Sequence, residues 1–383
     1  MISFELSETQ RLLRGTVREF AEAEIAPRIR ELDDREQFSV ELTQQMAALG
    51  LFGMSIPAEY GGGGLDTLSY IIAVEELARI DASCAITVAA GNSLGTNPIY
   101  YFGTEAQRRE WLPRLCSGEA LACFGLTEPG AGSDAGATQT RAILKNGHWE
   151  INGSKLFITN STNPLAKVVV LQVVSGSGEG GRKEYSCILV QHGTAGFKVK
   201  PIKGKMLWRS SDTGELTFEN CRVPESNLLG DRGSGFHQML KTLDAGRLSI
   251  AAMGLGGAQG AYELALRYAK EREQFGRPIV KHQAVAFKLA DMATEIEAGR
   301  WLLYRACWLK DQQRSFSKEA AMAKLFCSEM MGRVVDQAVQ IHGGYGLVKE
   351  FAVERFYRDH KILEIGEGTS EIQRLVISRH LES

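Results

Sequence analysis

The chain has 383 residues, with 44 basic against 46 acidic side chains and a formal net charge of -2. This balance, without a long run of like charges, argues against a nucleic-acid surface and against a basic membrane-binding face. The length suffices for two or three domains that each bury a core.

The cysteines and the first residues indicate a reducing compartment. The seven cysteines are odd in number and scattered from Cys84 to Cys327 without a Cys-x-x-Cys pair, so we expect reduced thiols and neither a disulfide framework nor a metal site. The start, Met1 to Ser7, is too acidic and too briefly apolar for a signal peptide, and no apolar stretch approaches the length of a membrane span. A cytoplasmic protein without membrane insertion is therefore expected.

Residues 1–121 are predicted to form a helical domain. Ser7, with a glutamine three residues later, has capping-box spacing and opens an amphipathic helix that is expected to end at Pro27. Thr104 repeats the capping signal before a second apolar-periodic run.

Residues 122–232 change character and predict a middle antiparallel β domain that resembles a barrel. Short β-branched runs alternate with glycine-rich turns, as is typical of such domains. The runs are 149–151, 167–171, 186–190 and 216–218. The glycine-rich residues 176–181 are expected to form an exposed hairpin loop.

Residues 233–383 return to helical periodicity. The longest run, from Gln283 to Arg314, has apolar residues at steps of three and four, which predicts helices packed as an antiparallel four-helix bundle. The fold class is thus α+β with three domains.

Glu367 is the candidate catalytic residue because it stands between Gly366 and Gly368. Without a flanking Cβ, a ligand can approach the backbone closely and a carboxylate can be presented as a proton-abstracting base. On its own, the same tripeptide would be read as a turn with a solvated acid.

Three further segments give this glutamate a context. They are CFGLTEPGAGSD at 123–134, REQFGR at 272–277 and QIHGGYG at 340–346. Together with the Glu367 segment they have the order and about the spacing found in the acyl-CoA dehydrogenases, and the whole chain resembles the short-chain and medium-chain members of this flavoenzyme family. The resemblance implies an FAD-dependent oxidation of an acyl-CoA to the trans-2-enoyl-CoA, in which Glu367 removes the α-proton and the β-hydride moves to flavin N5.

The resemblance also implies a set of FAD contacts. Thr127 would bond the edge of the isoalloxazine ring, Phe157 would stack on it where a tryptophan is common, and Thr159 would lie near N5. Arg272 and Gln274 would reach the pyrophosphate of FAD in a neighbouring subunit. The full implied set is Phe124, Leu126, Thr127, Gly132, Ser133, Phe157, Ile158, Thr159, Arg272, Gln274, Phe275, His282, Gln283, Gln340, Gly343, Gly344, Thr369 and Glu371.

The implied acyl-CoA contacts are Ser133, Asp244, Arg247 and Gly368, although Asp244 and Arg247 could equally form an ordinary helix ion pair. Some family members place their catalytic carboxylate at the position that matches Gly246, and glycine leaves that role empty here. Gly366 departs from the family, where a large residue often precedes the base, and predicts tolerance of a branched or cyclic acyl group.

The resemblance further implies a homotetramer and an electron-transferring flavoprotein as acceptor. An acyl-CoA oxidase and a catalytically silent flavoprotein scaffold remain as alternatives. A remote one is a serine hydrolase, because Gly91 to Gly95 matches the G-x-S-x-G nucleophile elbow around Ser93.

Overall fold

Helices form the first part of the chain, as the capping signals predict. In the computed structural model, which describes residues 5–382, the Ser7 hydroxyl accepts from the Gln10 backbone at 3.2 Å, and the Gln10 side chain accepts from the Ser7 backbone at 3.0 Å. Thr104 and Gln107 form a second capping box. The helices are α1 (Glu8–Phe20), α2 (Ala26–Arg35), α3 (Val40–Ala48), α4 (Thr67–Ala78), α5 (Ala82–Ala90), α6 (Asn97–Phe102) and α7 (Glu105–Cys116).

The prediction that the first helix ends at Pro27 is wrong. A π-helical segment, Ala21–Ile25, joins α1 to α2, and Pro27 lies in the first turn of α2. Proline is tolerated there because a first-turn residue needs no backbone N–H for an intrahelical bond.

A mostly antiparallel sheet follows. Its strands are β1 (Leu121–Gly125), β2 (Arg141–Lys145), β3 (His148–Thr159), β4 (Ala166–Ser177), β5 (Lys183–Gln191), β6 (Phe197–Pro201), β7 (Thr213–Pro224) and β8 (Leu228–Leu229). Their order is β6-β7-β3-β2-β4-β5-β8, with β1 beside β4. All four predicted runs lie in strands, but β4 pairs in parallel with β1 and, at one residue pair, with β2.

The two faces of the sheet enter different cores. Val168 and Val170 of β4 pack with Trp111 and Leu115 of α7, whereas the residues between and after them pack inside the β domain around Trp149. Alternate strand residues point to opposite faces, so one strand serves both cores and fixes the β domain against the helices.

Long helices complete the chain. The remaining elements are α8 (Gly235–Glu271), β9 (Glu273–Gln274), β10 (Arg277–Pro278), α9 (Gln283–Asp311), α10 (Ser317–His342), α11 (Val353–Asp359) and α12 (Ser370–Arg379). Helix α10 packs against α8, α9 and α12, and α8 also packs against α4. The approach of α8 to α4 needs glycine, since a Cβ at Gly256 would lie 2.1 Å from the Glu75 carbonyl oxygen. Within residues 5–382, no helix combines the length and apolar character that a membrane crossing requires.

Candidate active site

Glu367 lies in a tight turn between the 3₁₀ segment His360–Glu364 and α12. Glu367 and Gly368 both have left-handed backbone, with φ of 51° and 93°. This conformation costs a residue with a side chain on the order of 1 kcal/mol, so neighbouring contacts must hold Glu367 in place.

Two buried side chains hold this turn from inside the bundle. Lys324 Nζ, from α10, donates to the Gly368 carbonyl at 2.7 Å. Gln373 Nε2, from α12, donates to the same carbonyl at 2.9 Å and to the Glu367 carbonyl at 3.3 Å. Lys324 and Gln373 are both 0% exposed. Their hydrogen bonds fix the peptide that follows the glutamate and thereby its side-chain direction.

The Glu367 carboxylate points inward against α8. Its Oε2 atom is buried and has no hydrogen-bond partner among residues 5–382. A Cβ at Gly246 would lie 1.9 Å from this oxygen and 3.4 Å from Leu94 Cδ2. The carboxylate therefore occupies space that the missing side chain at residue 246 leaves open.

Burial raises the pKa of Glu367 to about 7, although the Lys324 and Arg247 cations partly offset the rise. The cause is loss of hydration, which disfavours the charged carboxylate. A carboxyl group with a pKa near neutrality is well matched to accept a proton from a substrate.

The predicted acyl-CoA residues Asp244 and Arg247 lie on α8 on either side of Gly246, and the Arg247 charge acts on Glu367. Arg247 Nη1 donates to Asp244 Oδ1, which also accepts from Ser317 Oγ at 3.0 Å. The ion pair within the helix therefore exists, as the simpler interpretation expected. Arg247 is 5% exposed, and its Nε is buried with no partner among the described residues. This leaves a donor for a ligand.

Another group of predicted residues lies on β3. Phe157 has φ of 60°, is 63% exposed and occupies an irregularity in the pairing of β3 with β7 between Lys155 and Ile158. Such an irregularity re-aims a side chain out of the regular pleat. The Phe157 ring thus presents a flat apolar face, which suits an aromatic heterocycle.

A buried ion pair brings the end of β1 next to Phe157. Lys155 Nζ donates to Glu128 Oε1 at 2.8 Å and to the Leu126 carbonyl at 3.0 Å. The Leu156 backbone donates to the Thr127 carbonyl at 2.8 Å. Although burial alone would raise it, the hydrogen bond from Lys155 leaves the pKa of Glu128 below its ordinary value.

The other predicted residues near this loop divide into buried and exposed ones. Phe124 and Ile158 have side chains packed into the two cores of the sheet, which leaves mainly their backbone for a ligand. Gly132 and Ser133 are exposed, and no atom lies within 4 Å of a Cβ built at Gly132. Thr159 is half-buried and pairs with Thr213 of β7.

At the start of α12, the predicted cofactor residues have helix-capping roles. The Thr369 hydroxyl accepts from the Ile372 backbone at 3.3 Å, and Glu371 is exposed in the first turn. This is the plain N-cap that the residue types indicate.

Most of the remaining predicted cofactor residues line a groove of about 860 Å³. It includes Arg272, Gln274, Phe275, His282, Gly343 and Gly344. The β9–β10 hairpin holds Phe275 at its tip, 95% exposed, and His282 Nε2 lies 3.1 Å from the Gln274 carbonyl oxygen. Gln283 and Gln340 are exposed at the adjoining helix ends.

This groove is distant from Glu367 within one chain. Gly246, which contacts the Glu367 carboxylate, and Glu271, where α8 ends beside the groove, are about 25 residues apart on one helix, or roughly 37 Å at the helical rise. The two predicted halves of the cofactor site are therefore not brought together in a single copy of the chain.

Ser93 is not placed as a nucleophile elbow. It lies in a π-helical segment, Gly91–Thr96, is 0% exposed and donates to the Ala89 carbonyl at 2.7 Å. An elbow needs a strand before the serine, whereas α5 stands there, so the serine hydrolase interpretation fails.

Sequence reasoning did not single out Lys324, Gln373, Lys155 or Glu128. One signal for Lys324 was available, because Ala320 and Ser328 lie four residues to either side on the buried face of α10. A lysine at such a position must have a buried partner.

Sequence comparison identifies the same family over nearly the whole chain. The profile of the acyl-CoA dehydrogenase N-terminal domain matches residues 7–119, that of the middle domain residues 123–221 and that of the C-terminal domain residues 233–382. The probable acyl-CoA dehydrogenase YngJ of Bacillus subtilis is 50% identical over 380 residues, which cover 99% of this chain and 100% of that protein.

Solved structures agree with these matches. Butyryl-CoA dehydrogenase from Megasphaera elsdenii has a TM-score of 0.96 and 41% identity over 100% of both chains. A chain from work on the electron-transferring flavoprotein of Acidaminococcus fermentans has a TM-score of 0.96 and 45% identity over 99% of both chains. An acyl-CoA dehydrogenase from Bacillus anthracis complexed with FAD has a TM-score of 0.93 and 34% identity over 100% of this chain and 69% of its own. The chain belongs to the acyl-CoA dehydrogenase family.

Proposed function

We propose that Glu367 is the base that removes the α-proton when this acyl-CoA dehydrogenase converts an acyl-CoA thioester to the trans-2-enoyl-CoA. The observation that carries the proposal is the buried Glu367 Oε2, which has no partner among residues 5–382 and a pKa raised by burial to about 7. A base must keep an accepting lone pair free until the substrate arrives.

The developing negative charge on the thioester oxygen needs hydrogen-bond donors. The backbone N–H of Glu367 donates to no acceptor among residues 5–382 and is available for this role. The hydrogen bonds from Lys324 and Gln373 to the following carbonyl would keep that N–H and the carboxylate in one fixed arrangement.

FAD is the cofactor of this family and, when bound, supplies the acceptor for the hydride that leaves the β-carbon. The residues present fit such a group: the Phe157 ring is held out at a left-handed φ, and the space beside Gly130 and Gly132 is open. Thr127, Phe157 and Thr159 would hold the flavin.

Arg272 and Gln274 would hold the pyrophosphate of FAD in a neighbouring subunit. The roughly 37 Å between Gly246 and the end of α8 supports this arrangement, since one dinucleotide cannot reach both places in one chain. We therefore propose a homo-oligomer, with a homotetramer as its expected form. The proposed location of the protein is the cytoplasm.

The acyl group is proposed to be short, with room for a branch or ring. The similarity to butyryl-CoA dehydrogenase favours a short chain. Gly366 supports the added width, because the three atoms nearest to a Cβ built there all belong to Ile362, the closest being its carbonyl oxygen at 3.3 Å. A side chain at residue 366 would take up space next to the glutamate, and glycine leaves that space open.

An electron-transferring flavoprotein is the proposed electron acceptor, supported by the similarity to the chain studied with that of A. fermentans. An oxidase would instead form hydrogen peroxide at the rate of enoyl-CoA formation. A silent scaffold would show no substrate-dependent flavin bleaching.

The decisive experiment is anaerobic bleaching of bound FAD by butyryl-CoA in the parent protein and in Glu367→Gln. The variant is expected to bind FAD and stay yellow, because an amide cannot accept the α-proton. Near-normal bleaching by Glu367→Gln would refute Glu367 as the base.

A further inference from the structure

Lys324 is an unusual residue for its position. It lies on the core face of α10, is 0% exposed and is surrounded along the helix by buried Ala320, Ala321 and Ser328. Removing an ammonium group from water is costly unless nearby groups compensate it. Burial lowers the pKa of Lys324 to about 8.

The contacts of Lys324 converge on the Glu367 turn. Its Nζ donates to the Gly368 carbonyl at 2.7 Å, and the charge that most favours its protonated form is that of Glu367. Arg247 from α8 opposes the ammonium, whereas Glu364 and Glu371 on either side of the turn favour it.

Gln373 already supplies a neutral donor to the same carbonyl. Gln373 Nε2 lies 2.9 Å from the Gly368 oxygen and is equally buried. Amide donors would therefore suffice to hold the turn. The burial of a positive charge at this position needs a second explanation.

We propose that Lys324 is a positioning residue for Glu367: its hydrogen bond to Gly368 fixes the left-handed turn, and its positive charge stabilises the ionised form of the base. This inference rests on the proposed role of Glu367. The Lys324 ammonium donates to the Gly368 carbonyl, so it acts on the reaction through the glutamate.

The test compares Lys324→Met with Gln373→Met, since both lose a donor to the Gly368 carbonyl but only the first loses a charge. The measured quantity is the pH at the midpoint of anaerobic bleaching by butyryl-CoA at low substrate concentration. Because a nearby cation lowers the pKa of a carboxyl group, Lys324→Met is expected to move the midpoint upward by about one pH unit. Gln373→Met is expected to bleach more slowly with an unchanged midpoint.

A second readout needs neither FAD nor substrate. The infrared C=O stretch of protonated Glu367, identified by its loss in Glu367→Gln, is titrated in the cofactor-free protein. Lys324→Met should protonate Glu367 at higher pH than the parent does. If Lys324→Met does not fold, Lys324→Gln, which keeps an amide donor but no charge, replaces it.

An unchanged midpoint in both measurements would overturn the charge role of Lys324. Equal upward shifts in the lysine and Gln373 variants would also overturn it, because the effect would then come from the turn geometry alone. Failure of the base assignment looks different: Glu367→Gln would then bleach normally, whatever Lys324→Met does.

Discussion

The Glu367 carboxylate rests directly on the α-carbon of Gly246, so that a Cβ added at residue 246 would lie 1.9 Å from Glu367 Oε2. Residue 246 is also where some family members carry their catalytic carboxylate. Both groups would occupy the same space, so a carboxylate at one position excludes a side chain at the other. Glycine at 246 thus leaves the space that Glu367 Oε2 occupies in this conformation.

Gly246→Ala should slow anaerobic bleaching at least tenfold, because the new methyl group displaces the carboxylate. The substitution lies inside α8, where alanine has the better helix propensity, so the fold itself should not suffer. Gly15→Ala in α1, which meets no atom within 4 Å, is the control and should bleach like the parent. Parent-like bleaching by Gly246→Ala would mean that the working carboxylate lies elsewhere.

The second-order rate constant for bleaching should depend on pH through Glu367. Since the pKa of this group is about 7 and only the carboxylate accepts a proton, the constant should fall about tenfold per unit below pH 7 and level off above it. Stopped-flow measurements at low butyryl-CoA concentration report this ionisation in the substrate-free protein. A constant that is flat from pH 5 to 8 would contradict the assignment.

The same ionisation should affect stability. The folded pKa of Glu367 exceeds its ordinary value of 4.5, so the folded protein binds the proton more tightly and loses stability as pH rises from about 4.5 to 7. Glu367→Gln removes this loss and should be more stable than the parent at pH 8 by about 3 kcal/mol. Urea unfolding at pH 5 and pH 8, in one cofactor state, should show a much larger gain at pH 8 than at pH 5.

Gly366→Tyr tests the proposed width of the acyl site. The backbone at residue 366 is not left-handed, and a Cβ there would lie 3.3 Å from the Ile362 carbonyl oxygen, so tyrosine should need only a small local shift. It should lower the bleaching rate with cyclohexanecarbonyl-CoA at least tenfold relative to butyryl-CoA, because the ring takes the space of the branch. Bleaching rates with both thioesters are measured on both proteins, and their ratio is compared. An unchanged ratio would contradict the proposed width of the acyl site.

Lys155→Met should destabilise the loop that supports the flavin face. It leaves Glu128 buried without its cation, at a cost of about 3 kcal/mol. We expect a lower unfolding midpoint and weaker FAD binding. The binding is measured by flavin fluorescence. Lys145→Met is the control, since Lys145 is exposed and Glu150 keeps a second partner in Arg222, so the loss should be small. Similar losses in both variants would contradict the prediction that the Lys155–Glu128 ion pair stabilises this loop.

Local signals in the sequence predicted much of the fold. Capping residues such as Ser7 and Thr104 act within one helical turn, and strand periodicity extends over a few residues, so both can be recognised without tertiary contacts. Pro27 misled because its effect depends on its position within a helix, which the π-helical segment before α2 determines.

By itself, the sequence determined the three-part α+β order, the family and Glu367 as candidate base, since these follow from local patterns and motif spacing. Only the tertiary structure decided that Glu367 lies against Gly246, that Lys324 supports its turn and that the Arg272 groove is too distant to join it in one chain. The physical reason is that burial, charge and contact depend on segments distant in sequence, such as Lys324 and Gly368, which are 44 residues apart, and no local pattern encodes their approach.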